Sequence, residues 1–176
     1  SLIDYISIDE ETPLSECSAQ AGNINGDNNV NIIDVINLVN MVLFSNSLSI
    51  VSNNQSYEEG IVSLYEGTSI DNIILENANG ISGFQFDVQT DADISSYLDN
   101  IELPERWEFA HSSLNGKHRF IGYDPTGVSS EKSIAINFPS QIINNVYGFV
   151  ISDPNGIEVV PRIQKFDSLV EELSLP

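Results

Sequence analysis

The sequence predicts a mainly β protein, an antiparallel β-sandwich preceded by one loop–helix unit. Three observations carry that expectation. From Gly60 onward, short runs of alternating apolar and polar residues recur, as in Phe84-Gln-Phe-Asp-Val88 and Ser133-Ile-Ala-Ile-Asn-Phe138. Gly, Asn, Asp or Pro separates these runs at spacings that suit a stack of short strands. A single helical pattern stands before them, at residues 34–44.

In chain order, Leu2-Ile-Asp-Tyr-Ile-Ser-Ile8 reads as a strand-like N-terminal arm within residues 1–20. Asn23 to Asp34 follows, with oxygen-bearing side chains at Asn23, Asn25, Asp27, Asn31 and Asp34. A run that alternates ligand with non-ligand can wrap about six oxygens round one hard cation, and the spacing is that of a twelve-residue calcium loop. The plainer reading of the same residues is an Asn- and Gly-rich turn that caps a helix, with Asp34 favouring the helix N-terminus.

Val35 to Phe44 contains no Gly or Pro and continues directly as a helix. Its polar residues fall only at Asp34, Asn37 and Asn40, one narrow stripe, so most of its circumference needs cover from the rest of the chain or from another molecule. Ile36, Val39 and Leu43, with Leu2, Tyr5 and Ile6 of the arm, are the candidate partner-binding residues. Residues 46–56 form a Ser- and Asn-rich linker. Strands are then expected at Gly60–Tyr65, Ser69–Glu76, Ile81–Gln89, Ile101–Leu103, Trp107–Ser112, Lys117–Tyr123, Ser133–Phe138, Val146–Ser152 and Ile157–Arg162. Asp153-Pro-Asn-Gly156 resembles a second calcium loop but reads better as a tight turn between two strands. Residues 166–176 form a short apolar and acidic tail.

Gly22 through Phe44 resembles one repeat of a type I dockerin, the calcium-binding loop–helix half-motif of secreted carbohydrate-degrading assemblies. The resemblance implies bound Ca2+, with Asn29 giving its backbone carbonyl as a further ligand and Val30 in the loop's hydrophobic bridge. Asn23 stands where the family usually has Asp, and Asn28 where it usually has Gly. Two carboxylates then remain, so affinity near the extracellular range of ~10⁻⁴ M is expected. Asn28 keeps access to the left-handed backbone that the sharp turn needs. Dockerins pair two repeats, whereas this chain carries one full loop. Residues 57–165 resemble a cohesin-like module, a jelly-roll or immunoglobulin-like sandwich, through Ile81-Ser-Gly-Phe-Gln-Phe-Asp87, Phe120-Ile-Gly-Tyr-Asp-Pro-Thr-Gly127 and Ile134-Ala-Ile-Asn-Phe138.

Composition narrows the function classes. The chain has 176 residues and is 41% hydrophobic, enough for a sizeable core. Six Lys and Arg face 26 Asp and Glu, a formal charge of −20, which excludes phosphate-backbone binding as the main role and disfavours anionic lipid. Cys17 is alone and has no partner for an internal disulfide. The helix is too short to span a bilayer. A start at Ser1 without Met fits a mature, processed fragment or an otherwise trimmed one, and a calcium loop fits secretion or a cell surface.

His111, His118, Asp124 and Ser112 or Ser113 would compose a hydrolase triad only if the fold assembled them, and no nucleophile-elbow motif accompanies them. Glu105 and Glu108 flank Trp107, but spacing along a chain does not place two carboxyls across a cleft. The expectation is therefore a non-catalytic, calcium-binding extracellular module for protein assembly, with head-to-tail self-association into a fibre as one form. The alternative is a carbohydrate-binding sandwich of a secreted glycan-processing protein, with Trp107, Tyr123 and Tyr97 as an aromatic platform.

Overall fold

The computed structural model describes residues 16–43, 58–67, 70–91, 93–98, 101–128, 131–139 and 145–167. Among these residues three helices, α1 (Glu16–Gly22), α2 (Ile32–Leu43) and α3 (Ser95–Leu98), accompany eight strands. These are β1 (Glu58–Glu66), β2 (Ile70–Ile81), β3 (Gly83–Gln89), β4 (Glu108–Leu114), β5 (Lys117–Tyr123), β6 (Glu131–Pro139), β7 (Val146–Ser152) and β8 (Glu158–Asp167). They form one mixed, curled sheet in the order β4-β5-β3-β7-β8-β1-β2-β6.

The expected strands at Lys117–Tyr123 and Val146–Ser152 appear with those bounds. β2 runs on to Ile81 across a register shift against β6, where Asn77 Nδ2 donates to the Gly80 carbonyl. Ile101–Leu103 is not a strand. Its residues lack a ladder partner, and Ile101 and Leu103 instead pack from a loop onto the core. The purely antiparallel expectation also needs correction, because β1 and β8 run parallel from Glu58↔Val159 to Glu66↔Asp167. A parallel pair has no tight turn to announce it, and residues 67–157 lie between these two strands.

Alternation decides what each face of the sheet buries. Phe84, Phe86 and Val88 of β3 point into the curl with Phe120 of β5, Val62 and Leu64 of β1, Ile73 and Leu75 of β2, and Ile134, Ile136 and Phe138 of β6. The ring of Phe86 touches Phe84, Phe120, Phe138 and Phe149, with centroids 5.1–6.0 Å apart. Phe138 meets both Phe86 and Phe120 edge-on, the favoured geometry for a ring quadrupole against a ring face. Strands from opposite ends of the sheet order thus share one interior.

The other face of β5, β3 and β7 carries α2. Ile32 and Val35 close over Ile121, with Ala110, Tyr123 and Val150 packed around them. The helix approaches this closely because β3 begins at Gly83. A Cβ built there would lie 2.8 Å from Ile32 Cγ1 and 3.1 Å from Ile36 Cγ1. Gly83→Ala should cost about 1–3 kcal/mol by overpacking. Hydrogen exchange should show protection lost in α2 before the β3–β5 ladder; equal protection in both elements would contradict this packing.

Candidate functional site

Asn31 caps α2: its Oδ1 accepts from Ile33 N at 2.8 Å, while Asp34 Oδ2 accepts from Asn31 N at 2.9 Å. This reciprocal box satisfies two N–H groups that a helix start leaves orphaned. A cap alone would end there. Asp34 Oδ1 also accepts from Ile24 N at 2.7 Å and Asn25 N at 3.2 Å, ten and nine residues earlier. The side chain is 0% exposed, so one carboxylate ties the entry of the loop to its exit.

Between those ends the loop is wound by short side chains. Asn23 Oδ1 accepts from Gly26 N and Asp27 N, Asn25 Oδ1 from Asp27 N, and Asp27 Oδ1 from Asn29 N. Gly26 and Asn28 take the left-handed backbone, with φ of 77° and 71°. Asn28 thus fills the position where Gly is usual, using the tolerance for that region that Asn shares. Asn25 Nδ2 donates to Asp27 Oδ2 at 2.8 Å.

A carboxylate offers about four lone-pair directions and a carboxamide oxygen two. Asp34 therefore keeps one direction unused, Asp27 two, and Asn25 and Asn31 one each, while both directions of Asn23 Oδ1 are taken. These residues fit a hard dication, since oxygen donors with capacity to spare are what Ca2+ takes. Carboxamides dominate the set, and among the described residues no three His, Cys, Asp or Glu side chains converge as a metal group.

The electrostatics lean the same way. Burial pushes the Asp34 carboxyl above its usual range despite its three backbone hydrogen bonds, and the charge of Asp27 adds to the rise. Glu158, at the start of β8, is raised by burial and again by Asp27. Neither acid has an ion-pair partner among the described residues. Excess negative charge here is unrelieved, and a cation would relieve it.

The polar stripe of α2 is used inwardly. Asn37 Nδ2 donates to the carbonyls of Ile33 and Gly156, and Asn40 Nδ2 to that of Pro154. The second and third of these carbonyls belong to the β7–β8 turn, where Asp153 Oδ1 accepts from Asn155 N and Ile157 N. Asp153-Pro-Asn-Gly156 is thus the tight turn that the sequence suggests.

The candidate partner residues on α2 separate. Ile36 is 0% exposed beneath the helix, so it cannot meet a partner; this corrects the expectation, and the cause is its seat over Gly83. Val39 is half-buried and Leu43 exposed. Leu38, Met41 and Val42 are exposed as well, a set that the sequence pattern did not single out because every apolar residue of the helix looked equally in need of cover. Leu2, Tyr5 and Ile6 lie outside the described residues.

The imagined catalytic groups do not assemble. His111 Nε2 and His118 Nδ1 lie 3.2 Å apart and bond to each other; burial, then the charge of His118, holds His111 below its usual range. Asp124 sits at the far end of β5 and binds Thr126 N and Oγ1. Glu108 accepts from Tyr123 OH at 2.7 Å, and burial followed by this bond pushes the phenol up to about 12. Trp107 stacks on Phe84 at 6.0 Å on the core side, whereas Tyr123 belongs to the face under α2. The two therefore do not form one aromatic platform.

No helix among the described residues is long and apolar enough to cross a membrane. No protein-family model matches the chain, and no curated protein matches it. One solved structure to which the chain shows similarity is the non-cellulosomal cohesin from the hyperthermophilic archaeon Archaeoglobus fulgidus. It is 11% identical, with a TM-score of 0.40, over 62% of this chain and 89% of that one.

Proposed function

We propose that the chain is a non-catalytic, calcium-binding interaction module of an extracellular protein assembly. In this reading residues 21–45 are a dockerin-like loop and helix, and residues 57–165 a cohesin-like sandwich whose leaves are the two halves of the curled sheet. The observation that carries it is the buried Asp34 carboxylate, bonded at once to the loop's second and third residues and to the helix cap. A simple cap needs only the last of these bonds. Asn25, Asp27, Asn31 and Asp34, with the carbonyl of Asn29, would hold the ion, and Asn23 would join them by giving up one of the two backbone bonds that its Oδ1 now accepts. Bound there, the ion would supply positive charge and fix the loop, and with it the angle at which α2 leaves toward the sheet.

Calorimetry with calcium should give one site with Kd of about 10⁻⁴–10⁻³ M, the range of extracellular modules. At about a hundredfold excess over Kd, linkage should stabilise the fold by about 2.7 kcal/mol, visible as a raised unfolding temperature that chelator reverses. No heat and no thermal shift at about 10 mM calcium would overturn the reading. Magnesium should compete poorly, because it demands a stricter octahedron and gives up water reluctantly.

A further inference from the structure

The loop from Asn23 to Asp34 is one carboxylate short. Asp27 and Asp34 are its only acids. Asn23, standing where Asp is usual, brings an uncharged oxygen that already accepts from Gly26 N and Asp27 N. Oxygen sites set their affinity for Ca2+ by ligand charge and rigidity, so a carboxylate from outside the loop would matter more here than in a loop with a full acidic set.

The sheet brings one to the right place. Gly83 of β3 pairs with Ser152 of β7, and Ser152 pairs with Glu158 of β8. Residues directly opposite each other in a ladder point to the same face, so these three form one row across the sheet. The row faces α2, since a Cβ at Gly83 would meet Ile32 and Ile36. Glu158 therefore stands beside the first turns of the helix, two strand spacings, roughly 9.6 Å, from where they touch β3. The turn just before Glu158 is pressed against the same helix. Asn37 Nδ2 donates to the Gly156 carbonyl at 3.2 Å, and a Cβ at Gly156 would lie 2.7 Å from that nitrogen.

Glu158 is half-buried, and among the described residues its carboxylate has neither a hydrogen bond nor an ion pair. All six Lys and Arg of the chain belong to the described residues, yet none pairs with Glu158, Asp27 or Asp34. Asp27 is the common neighbour, because its negative charge acts on both Asp34 and Glu158. Like charges gathered in this way disfavour the ionised forms until a cation joins them. The loop lacks a carboxylate, and the sheet holds one without a partner beside it.

We infer that Glu158 is a calcium ligand supplied by the sheet, the third carboxylate of the loop's site. The ion then bridges the loop and β8, and calcium clamps α2 onto the sheet as well as fixing the loop. In metal-free protein the same three acids repel one another and loosen that seat. The assignment rests on the calcium reading and adds to it a residue far along the chain from the loop.

The test compares the full chain with its Glu158→Gln and Glu102→Gln variants, by calcium calorimetry and by thermal unfolding with and without the metal. Glu158→Gln keeps the size of the side chain and drops its charge. It should weaken calcium binding about tenfold or more, the scale on which residues around a metal site act. It should also raise the metal-free unfolding temperature, because a repulsion is gone. A residue that only supports the fold would lower that temperature instead, and a lower value would overturn the assignment. Glu102→Gln removes the same charge at an exposed position before β4 and should bind calcium as the parent does. Equal losses in the two variants would trace the effect to net charge and overturn the assignment as well. Calcium should slow amide exchange in α2 of the parent more than in Glu158→Gln, and an equal effect in both would refute the clamp. Undiminished calcium affinity in Glu158→Gln would remove Glu158 from the site and leave the calcium reading intact, whereas a parent that takes up no calcium would overturn both.

Discussion

Asp34→Ala should cost about 3–5 kcal/mol and abolish any stabilisation by calcium. The carboxylate is wholly buried and accepts from three backbone N–H groups, on Ile24, Asn25 and Asn31. Stranding a buried donor costs about 1–3 kcal/mol each, and the partial exposure of the loop lets water recover some of that. Asp34→Asn should be milder in metal-free protein, because its one carbonyl oxygen keeps either the loop-entry or the cap contact while the charge disappears. Both variants should lose the calcium response together. A metal-free cost for Asp34→Ala below about 1 kcal/mol by urea titration would mean that the loop closes without this carboxylate.

Acidification supplies an independent check on the same group. The folded-state pKa of Asp34 is raised, so the folded chain holds this proton more tightly than the unfolded one. The contribution from protonation is full below the unfolded pKa and is lost as pH rises through the folded value. Glu158 moves in the same direction. Metal-free protein should therefore gain from these two groups as pH falls from neutral toward the carboxylate range, while stabilisation by calcium, which needs the ionised loop, fades over that interval. Asp34→Asn should flatten both trends.

The parts of the fold that the sequence reveals are those governed by neighbours. Phe84, Phe86 and Val88 alternate because successive side chains of a strand take opposite faces, and the bounds of β5 and β7 follow from the Gly, Asn and Asp-Pro residues that close them. The loop was legible for a similar reason, since Asn and Asp side chains reach backbone N–H groups two to four residues away. What stayed hidden depends on distant partners. Asn37 and Asn40 bond to carbonyls 119 and 114 residues away, so nothing local tells whether that stripe meets water or protein. Ile36 and Leu43 look alike in sequence, yet one lies over Gly83 and the other is exposed. The parallel pairing of β1 with β8 has no local signal at all.

Phe86→Ala is the second large effect, and its value lies in what it should leave intact. The ring joins both ends of the sheet order through Phe84, Phe120, Phe138 and Phe149, and the side chain is 0% exposed. Replacing a buried Phe by Ala typically costs about 3–5 kcal/mol, because the cavity left behind collapses only partly. Here four rings border the vacancy, and rigid aromatic side chains close a gap less readily than flexible ones, so the upper part of that range is expected. That is a large share of a typical stability of about 5–15 kcal/mol, and Phe86→Leu provides a milder form of the same perturbation. Phe86 faces the interior, whereas α2 and its loop sit on the opposite face of β3. While the chain remains folded, calcium affinity should therefore stay within about twofold of the parent, the additive behaviour expected of sites without shared partners. A tenfold loss of calcium affinity in folded Phe86→Leu would instead mean that the packing of the curl sets the loop geometry. In that case Gly83, where β3 touches α2, is the contact through which the two would communicate.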